Sequence, residues 1–277
     1  MATSLSSGPA PAAQKPQALP PTAAGHVLSQ GHRIYFERYG PDSGPAVVLL
    51  HHGLGSLRAW KSQIRAFVRA GYRVLAYDRW GYGASDPRPA LDLPTFHADI
   101  VDLIELLASA SIGKATLLGH SDGGTMALYF ASRWPEKVSA LVTVAAHIYV
   151  EPAMVPGLAA VGQAYASDVE LREKLQRAHG EKVDQVFYNW YDGWAQPRHL
   201  GWDIRSLLGT ITCPALVIQG EEDEHATAQH ARDLAACLRQ ARLWLIPGAR
   251  HMPPQEVPEE FNREVLAFLE GVKSSDG

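Results

Sequence analysis

The sequence predicts an α/β fold: a doubly wound, mostly parallel sheet with an inserted helical cap. From residue 26 onward, strand-like and helix-like segments alternate, as is typical of a parallel sheet with helices on both faces. Several strand-like segments are unbroken apolar runs, which indicates strands buried on both faces. Strand signals vanish over residues 147–208, where apolar residues recur at helical spacing. An insertion of that length must fold on itself, so we expect a helical cap there.

Composition limits the classes of partner that we expect. A chain of 277 residues with 46% apolar residues can bury one large core. The net charge is −4 and the basic residues form no runs, so neither a nucleic acid nor a membrane surface is predicted as a partner. Cys213 and Cys237 have no metal-ligand spacing and are predicted to be ordinary thiols of a reducing compartment. We expect no metal or organic cofactor, and the choice between a monomer and a homo-oligomer stays open.

The first 24 residues are rich in Ala, Pro and Ser and contain one charged residue, Lys15. They lack an apolar block long enough for a signal peptide or a membrane span. We therefore expect a disordered tail. An organelle transit peptide is the alternative, but such peptides are rich in arginine, and no arginine precedes Arg33. The sequence thus favours a cytoplasmic location.

The core is expected over residues 25–146 and 209–277. Its first part should contain an opening hairpin at 26–29 and 33–39, strands at 46–52, 73–77, 114–119 and 138–146, and helices at 60–70, 95–110 and 125–134. Its second part should contain strands at 214–220 and 242–246 and helices at 227–238 and 258–270. Right-handed crossovers then make a doubly wound sheet the simplest topology.

The strand predicted at 114–119 runs into a Gly-x-Ser-x-Gly motif centred on Ser121 and then into a helix. A serine on so sharp a turn needs small neighbours, here Gly119 and Gly123, because a Cβ at either position would meet crossing backbone. The N–H groups at the start of the helix favour negative charge at the same point. Ser121 is therefore a candidate nucleophile. The alternative is a plain glycine-rich turn, so the interpretation depends on catalytic partners elsewhere.

Two later strands are followed by the side chains that a serine nucleophile requires. Asp223 follows one strand and His251 follows the next, on a loop rich in Gly and Pro. A histidine can take the serine proton and return it to the leaving group, while a carboxylate orients the ring. The order Ser121, Asp223, His251 is the one that the motif predicts.

Other residues near these positions compete for the same roles. Glu221, Glu222 and Glu224 surround the predicted acid, but the Gly-x-x-Asp spacing after the strand favours Asp223. Asp78 also lies in a loop, where its Asp-x-x-Gly-x-Gly-x-Ser setting indicates a residue that holds a turn. His120, inside the elbow, is expected to be a packing residue.

An oxyanion hole requires two backbone donors. The first is expected to be the N–H of Asp122, directly after the nucleophile. The second should come from the loop after the first buried strand, where glycines allow close approach to a bound carbonyl. Leu54 is the predicted donor in that loop, and Gly55 is the fallback.

With these motifs in place, residues 26–272 resemble an α/β-hydrolase. The resemblance rests on His52-Gly53, the Asp78–Ser85 loop, the Gly119–Gly123 elbow, Gly220-x-x-Asp223 and His251. It implies a serine hydrolase that cleaves small carboxylic esters through an acyl-enzyme, with amides, thioesters and lactones as alternative substrates. Within the family, Ser121-Asp122-Gly123-Gly124, a tryptophan-rich cap and Cys213-Pro214-Ala215-Leu216-Val217 are most similar to the valacyclovir hydrolase (biphenyl hydrolase-like) branch. Glu224-His225-Ala226 departs from the Val-Pro turn of many members, which leaves the substrate open.

Other branches of the family give alternative functions. Haloalkane dehalogenases and epoxide hydrolases resemble this fold but use Asp at the elbow, where this chain has Ser121. Proline iminopeptidases show a Gly-Gly-x-Trp-Gly elbow, which is absent here. Carbon–carbon bond hydrolases of aromatic breakdown share the catalytic residues and the cap, and they are the main competitor. Non-catalytic binding proteins of the family usually lose a catalytic residue, whereas this chain keeps all three.

Two features of the expected pocket remain open. Trp190 and Trp194 of the cap either line the pocket or form the core of the cap. The Asp122 carboxylate, beside the reacting atoms, must be turned away, hydrogen-bonded or paired with a cation. It either caps the helix after the elbow or, as the branch resemblance implies, receives an amino group of the substrate.

Overall fold

The computed structural model describes residues 19–152 and 154–275 and contains one eight-stranded sheet within them. The strands lie in the order β1-β2-β4-β3-β5-β6-β7-β8 and span Ala23–Ser29, His32–Tyr39, Ala46–Leu50, Arg73–Tyr77, Ala115–His120, Val138–Val144, Ala215–Gly220 and Ala241–Ile246, numbered along the chain. The hairpin β1–β2 is antiparallel and joins β4 antiparallel, whereas the other neighbours are parallel. The predicted doubly wound, mostly parallel sheet is confirmed.

Ten α-helices are present in the described residues. Helices α1 to α10 span Lys61–Arg69, His97–Ser109, Asp122–Arg133, Met154–Ser167, Val169–His179, Val183–Trp194, Arg205–Leu208, Ala228–Cys237, Pro253–Glu256 and Pro258–Ser275. Short 3₁₀ turns at Leu57–Trp60, Pro135–Lys137, Gly180–Lys182 and Pro197–Gly201 connect them. None of the helices in the described part of the chain is long and apolar enough to cross a membrane.

Helices cover both faces of the sheet and enclose two apolar clusters. One cluster includes Phe67 of α1 and Phe261 of α10 and covers one face. The other includes Leu103 of α2, Phe130 of α3 and Leu234 of α8 on the opposite face. Because strands β3 to β7 are buried on both sides, their side chains form continuous apolar runs, as the sequence showed.

The chain enters the sheet earlier than the sequence predicted. Ala23 and Ala24 pair with Arg38 and Glu37, so the expected tail of residues 1–24 ends too late. Alanine gives little strand signal, and the pairing with β2 decides the conformation. The predicted disorder of residues 1–18 lies outside the described residues.

Helix α3 begins at Asp122, three residues before the predicted start at Thr125. Gly123 and Gly124 are poor helix formers, which moved the predicted boundary toward the C-terminus. Tertiary contacts override that weak propensity here. The early start brings the first turn of the helix directly against Ser121.

The insertion between β6 and β7 contains helices α4, α5 and α6, which have their own apolar cluster of Tyr165, Leu175 and Phe187. Its two chain crossings lie side by side, with Tyr149 bridged to Asp203 and the Ile204 N–H donating to the Ile148 carbonyl (2.8 Å). Ile148, Ile204 and Leu208 belong to the apolar cluster of the sheet. We therefore propose that the cap begins and ends near residues 149 and 203, inside the predicted limits of 147 and 208.

The elbow depends on direct backbone contact between β5, α3 and the end of β3. A Cβ on Gly123 would lie 2.2 Å from the Leu50 carbonyl oxygen and 2.7 Å from that of His51. A Cβ on Gly119 would lie 2.2 Å from the Gly123 carbonyl oxygen. No rearrangement of side chains can relieve these overlaps, because the opposing atoms belong to the backbone.

Replacing Gly123 with alanine should therefore destabilise the protein by about 3 kcal/mol, the upper range for overpacking. Gly113→Ala is the matched control, since no described heavy atom lies within 4 Å of its added Cβ. Urea unfolding followed by circular dichroism measures both changes. Equal stabilities of the two variants would contradict the close approach at the elbow.

Candidate active site

Ser121 has the backbone conformation expected of an elbow residue. Its φ of 54° and ψ of −120° lie in a region that residues other than glycine rarely adopt. The Ser121 N–H donates to the Val144 carbonyl (2.8 Å), which fixes the turn to the end of β6. This geometry brings the Ser121 Oγ to 3.1 Å from His251 Nε2.

His251 lies on the loop after β8 and contacts both of its predicted partners. Its Nδ1 lies 2.9 and 3.0 Å from the two carboxylate oxygens of Asp223. The Glu256 carboxylate accepts from the N–H groups of Arg250 (2.6 Å) and Met252 (2.9 Å), so the backbone on each side of the ring is held. The structure thus brings Ser121, His251 and Asp223 together in one hydrogen-bonded chain.

The Asp223 side chain is fully buried, whereas Glu221, Glu222 and Glu224 are exposed. Its Oδ1 also accepts from the N–H of His225 (2.7 Å), and its Oδ2 accepts from the Gln219 side-chain amide (2.6 Å). Burial acts to raise the pKa of this carboxyl, but the adjacent His251 and the bond from the His225 N–H lower it to about 2. The carboxylate therefore stays ionised at neutral pH.

The acid and the histidine can meet because strand β7 ends very close to the loop that carries His251. A Cβ on Gly220 would lie 2.2 Å from the Arg250 carbonyl oxygen and 2.3 Å from that of Ala249. The Glu222 N–H donates to the Ala249 carbonyl (2.9 Å) at the same crossing. Gly220, the glycine of the Gly-x-x-Asp spacing, therefore allows this close contact because it has no side chain.

Asp78 holds a turn, as its sequence setting predicted. One carboxylate oxygen accepts from the Leu57 N–H (2.8 Å) and the other accepts from the Ala84 N–H (2.8 Å). These bonds join the loop after β4 to the loop after β3. Because Leu54 lies three residues before Leu57 in the same loop, Asp78 helps to position this candidate oxyanion residue.

The predicted oxyanion residues Leu54 and Asp122 both line the cavity in front of Ser121. Among the described residues, no backbone carbonyl accepts a hydrogen bond from the Leu54 N–H or the Asp122 N–H. Both donors are therefore available. The fallback donor differs, because the Gly55 N–H already donates to the His52 carbonyl (3.0 Å). The geometry thus favours Leu54 over Gly55 for the second donor.

A buried histidine of the cap holds the Leu54 peptide. His179 lies 3.2 Å from the Leu54 carbonyl oxygen through Nε2, and its Nδ1 accepts from the Gly83 N–H (3.0 Å). That acceptor role requires the proton on Nε2, which therefore donates to Leu54. Burial lowers the pKa of His179 to about 4, so the ring keeps this neutral form at neutral pH.

The Asp122 carboxylate is buried and paired with a cation. Its Oδ2 lies 3.5 Å from Nη2 of the fully buried Arg79, and its Oδ1 accepts from the Trp194 indole N–H (3.2 Å). Arg79 also lies 3.8 Å from Asp99. Burial raises the pKa of Asp122, against the opposing effect of Arg79. Of the roles left open by the sequence, the observed contacts are those of an ion pair.

His251 is surrounded by other histidine rings that stay neutral. His120 lies 5.3 Å from it, His225 lies 4.5 Å away and His147 lies 6.2 Å away, measured between ring centroids. Burial, followed by the charge on His251, lowers the pKa of His120 to about 3 and that of His225 to about 4. Burial likewise holds the pKa of His147 far below 6.5. These three neighbouring rings therefore carry no charge at neutral pH.

His120 does more than pack, which the sequence did not predict. Its Nε2 lies 2.8 Å from the His251 carbonyl oxygen. As a neutral ring, His120 donates to that oxygen and so fixes the loop that carries His251. The position directly before Ser121 gave no signal for this role, because the acceptor lies 131 residues later in the chain.

A cavity of about 1200 Å³ opens in front of Ser121 between the strand ends and the cap. Its lining is mostly apolar, and it includes the predicted pocket residues Trp190, Trp194 and Asp122. The Trp190 indole lies against the candidate oxyanion loop, since a Cβ on Gly53 would lie 2.0 Å from its Nε1. Both tryptophans thus face the cavity, and Trp194 is anchored on Asp122 as well.

Comparisons with known proteins agree with this geometry. The family model described as the alpha/beta hydrolase fold matches residues 45–179. The serine hydrolase BPHL of Homo sapiens is 31% identical over 253 residues, which cover 88% of this chain and 85% of that protein. The chain belongs to the α/β-hydrolase family. Its similarity to BPHL confirms the predicted resemblance to the biphenyl hydrolase-like branch.

This α/β-hydrolase is also similar to other named hydrolases. The 2-hydroxy-6-oxo-6-phenylhexa-2,4-dienoate hydrolase of Burkholderia cepacia is 28% identical over 265 residues, covering 86% of this chain and 91% of that protein. A hydrolase of Pseudomonas aeruginosa PA01 superposes with a TM-score of 0.70 at 26% identity, covering 90% of this chain and 98% of the other. The fold and the hydrolase class are therefore shared with these proteins.

The neutral state of His120 makes stability depend on pH. Because its folded pKa of about 3 lies below the ordinary value of 6.5, unfolding takes up a proton between these values. Its contribution to stability is complete above pH 6.5 and decreases as the pH falls toward 3. His120→Gln removes the titration but keeps a donor for the His251 carbonyl.

We expect the wild type to lose about 2 kcal/mol more unfolding free energy than His120→Gln between pH 8 and pH 5. Urea unfolding at the two pH values measures the losses. His97→Gln, a substitution at an exposed position, serves as the control. A loss in His120→Gln as large as that of the wild type would assign the pH dependence to other groups.

Proposed function

We propose that this α/β-hydrolase is a serine esterase that cleaves small carboxylic esters through an acyl-enzyme on Ser121. The observation that carries the proposal is the hydrogen-bonded chain from Ser121 Oγ through His251 to the buried Asp223 carboxylate. A serine hydroxyl becomes a nucleophile when a neighbouring histidine accepts its proton. The opening of the cavity onto Ser121 gives a substrate access to that hydroxyl.

The proposed reaction has two proton transfers through one nitrogen. His251 Nε2 takes the Ser121 proton as Oγ attacks the ester carbonyl, and it then gives the proton to the departing alcohol oxygen. Water repeats the cycle on the acyl-enzyme and releases the acid. The Asp223 carboxylate, which stays ionised, holds the proton of Nδ1 and stabilises the imidazolium.

The oxyanion formed during attack would be bound by the Leu54 and Asp122 N–H groups. Two features support that assignment. The start of α3 directs its N–H groups toward Ser121, which favours negative charge there. The bond from His179 to the Leu54 carbonyl also fixes the plane of that loop. A preorganised donor needs no rearrangement as charge develops, and one such donor contributes about 10²–10³ in kcat.

Ser121→Ala and His251→Ala should each lower kcat for p-nitrophenyl esters by about 10⁶, while the proteins stay folded. A fluorophosphonate probe should label the wild type and leave Ser121→Ala unlabelled. Equal labelling of both proteins would refute the acylation of Ser121.

Asp223→Asn should keep the fold and reduce kcat by up to about 10⁴, because the histidine loses its orienting carboxylate. Glu222→Gln is the matched control at an exposed neighbouring carboxyl. The same panel should include a ring-cleavage dienone, because one relative hydrolyses a phenylhexadienoate. Turnover of the dienone together with inert esters would favour the carbon–carbon bond hydrolase alternative.

The contacts of Asp122 bear on its role toward the substrate. Its carboxylate already has Arg79 and the Trp194 indole as partners, and it is 1% exposed. We propose that it serves as the counterion of Arg79 and does not receive a substrate amino group. Removing one partner of a buried pair leaves the other charge uncompensated, which costs about 3 kcal/mol or more.

The wild type should therefore hydrolyse an α-amino acid ester and its N-acetylated form with kcat/KM values within about threefold, a difference below 1 kcal/mol. Asp122→Asn should lower stability by about 3 kcal/mol, measured by urea unfolding. A preference for the free amine above about tenfold that disappears in Asp122→Asn would instead assign Asp122 to substrate binding.

A further inference from the structure

The cavity in front of Ser121 has a charge that differs in sign from that of the whole chain. Four basic residues contribute to its lining, namely Arg58, Lys61, Lys174 and Arg177. Among the described residues of the lining, Asp122 is the one acidic side chain, and the buried Arg79 offsets its charge. The chain has 29 acidic and 25 basic residues, so its surface as a whole is slightly negative. The cavity is therefore cationic in a protein of net negative charge.

The four basic residues lie on both sides of the entrance to the cavity, and we call this set the cationic mouth. Arg58 lies on the 3₁₀ turn before α1, and Lys61 is the first residue of α1, so both belong to the core. Lys174 and Arg177 lie on helix α5 of the cap. All four residues are exposed, whereas Ser121 is 6% exposed. The cations therefore lie at the entrance, and the candidate nucleophile lies at the bottom.

Helix α5 is held against the candidate oxyanion loop. Leu54 of that loop packs on the apolar cluster of the cap together with Leu171 of α5. His179, the last residue of α5, is bonded to the Leu54 carbonyl (3.2 Å). Leu171 and Leu175 line the cavity on the same face of the helix as Lys174, because residues three and four apart are neighbours on a helix. Helix α5 thus presents leucines inside the cavity and a cation at its mouth.

Three residues of the cationic mouth have no acidic partner in the protein. Within residues 19–152 and 154–275, no carboxylate forms an ion pair with Arg58, Lys61 or Lys174. Arg177 lies 3.6 Å from Glu173, but both side chains are more than half exposed, so this pair contributes little. The positive charge at the mouth is therefore available to an anion of the substrate.

The charge of Lys174 also reaches the inner wall of the cavity. His52 lies two residues before Leu54 in the candidate oxyanion loop and lines the cavity. Burial, and then the neighbouring histidines, hold the pKa of His52 well below 6.5, and the Lys174 charge acts in the same direction. Because charges interact weakly beyond about 10 Å in physiological salt, one small molecule can span the distance from the mouth to the oxyanion loop.

On the basis of the proposed esterase function, we propose that the substrates are esters that carry an anionic group, a carboxylate or a phosphate, separated from the ester by an apolar chain. Arg58, Lys61 and Lys174 bind the anion at the mouth, and the apolar lining contacts the chain. These three residues determine substrate specificity and take no part in breaking the ester bond. Neutral esters of the same shape leave the three charges unpaired and are poorer substrates.

The test compares esters that differ in charge and match in shape. Mono-p-nitrophenyl adipate ends its acyl chain in a carboxylate, and the p-nitrophenyl ester of adipic acid monoamide ends it in a neutral carboxamide. A second series carries the charge on the alcohol: 6-acetoxyhexanoate and 6-acetoxyhexyl phosphate are compared with 6-acetoxyhexanamide. Release of p-nitrophenol or acetate gives kcat/KM for each ester, and the second series distinguishes a carboxylate from a phosphate.

In the wild type, we expect kcat/KM of an anionic ester to exceed that of its neutral counterpart by about tenfold in at least one series, as expected for an anion that pairs with several partly exposed cations. Raising the salt concentration from about 0.01 M to about 1 M should bring this ratio toward 1, because salt screens exposed charges.

Lys61→Gln/Lys174→Gln removes one cation from the core and one from the cap. It should reduce the ratio to about 2 and leave kcat/KM of the neutral esters within about twofold of the wild type. Lys114→Gln makes a matched charge change at an exposed residue before β5, at the opposite edge of the sheet from Ser121, and should keep the wild-type ratio.

Fluorophosphonate labelling reports whether each variant is folded and reactive, and Arg58→Gln/Lys174→Gln is a second double variant. Wild-type ratios near 1 in both series, or a tenfold preference that both folded double variants retain, would overturn the role of the cationic mouth while leaving the esterase function intact. No hydrolysis of any of these esters by the wild type would overturn the esterase function and this inference together.

Discussion

Direct contact between backbones at the C-terminal edge of the sheet is the constraint on which the candidate site depends. Gly123 lies against the carbonyl oxygens that end β3, and Gly220 lies against those of the loop after β8. The first contact sets the strained turn of Ser121, and the second brings Asp223 to His251. Neither contact tolerates a Cβ, so two glycines more than ninety residues apart fix the geometry of one hydrogen-bonded chain. The strain at Ser121 persists because the packed sheet holds both sides of the turn.

Burial determines which histidines of the same site are charged. Several imidazoles lie close together, and desolvation keeps His120, His147 and His225 neutral near pH 7. His251 differs from them because the Asp223 carboxylate contacts its Nδ1 directly. The neighbouring rings are thereby kept neutral, whereas His251 contacts both the Asp223 carboxylate and the Ser121 hydroxyl. Arg79 pairs with Asp122 and offsets its negative charge, which would otherwise oppose the charge that develops on an oxyanion.

Sequence patterns predicted the sheet and the candidate residues Ser121, Asp223 and His251, because these depend on local signals. The signals are the apolar strands, the elbow glycines, and the acid and histidine after successive strands. They failed where contacts are made between distant segments. The pairing of Ala23 with Arg38 has no local signal, and the same is true of the bond from His179 to Leu54. The start of α3 was misplaced because Gly123 is a poor helix former by itself, although its tertiary contacts require it.

These contacts give the core and the cap different roles in the candidate site. The strand ends position Ser121, Asp223 and His251 through backbone contacts, and the cap adds the bond from His179 to the Leu54 carbonyl. The cap supplies Trp190 and Trp194 to the cavity. The chain enters the cap through His147 and the bridge between Tyr149 and Asp203. The His147 backbone is tied to α3 through the Thr125 hydroxyl, so the start of the insertion is fixed to the helix that follows Ser121. The strand ends thus hold the candidate reacting groups, while the cap shapes part of the cavity in front of them.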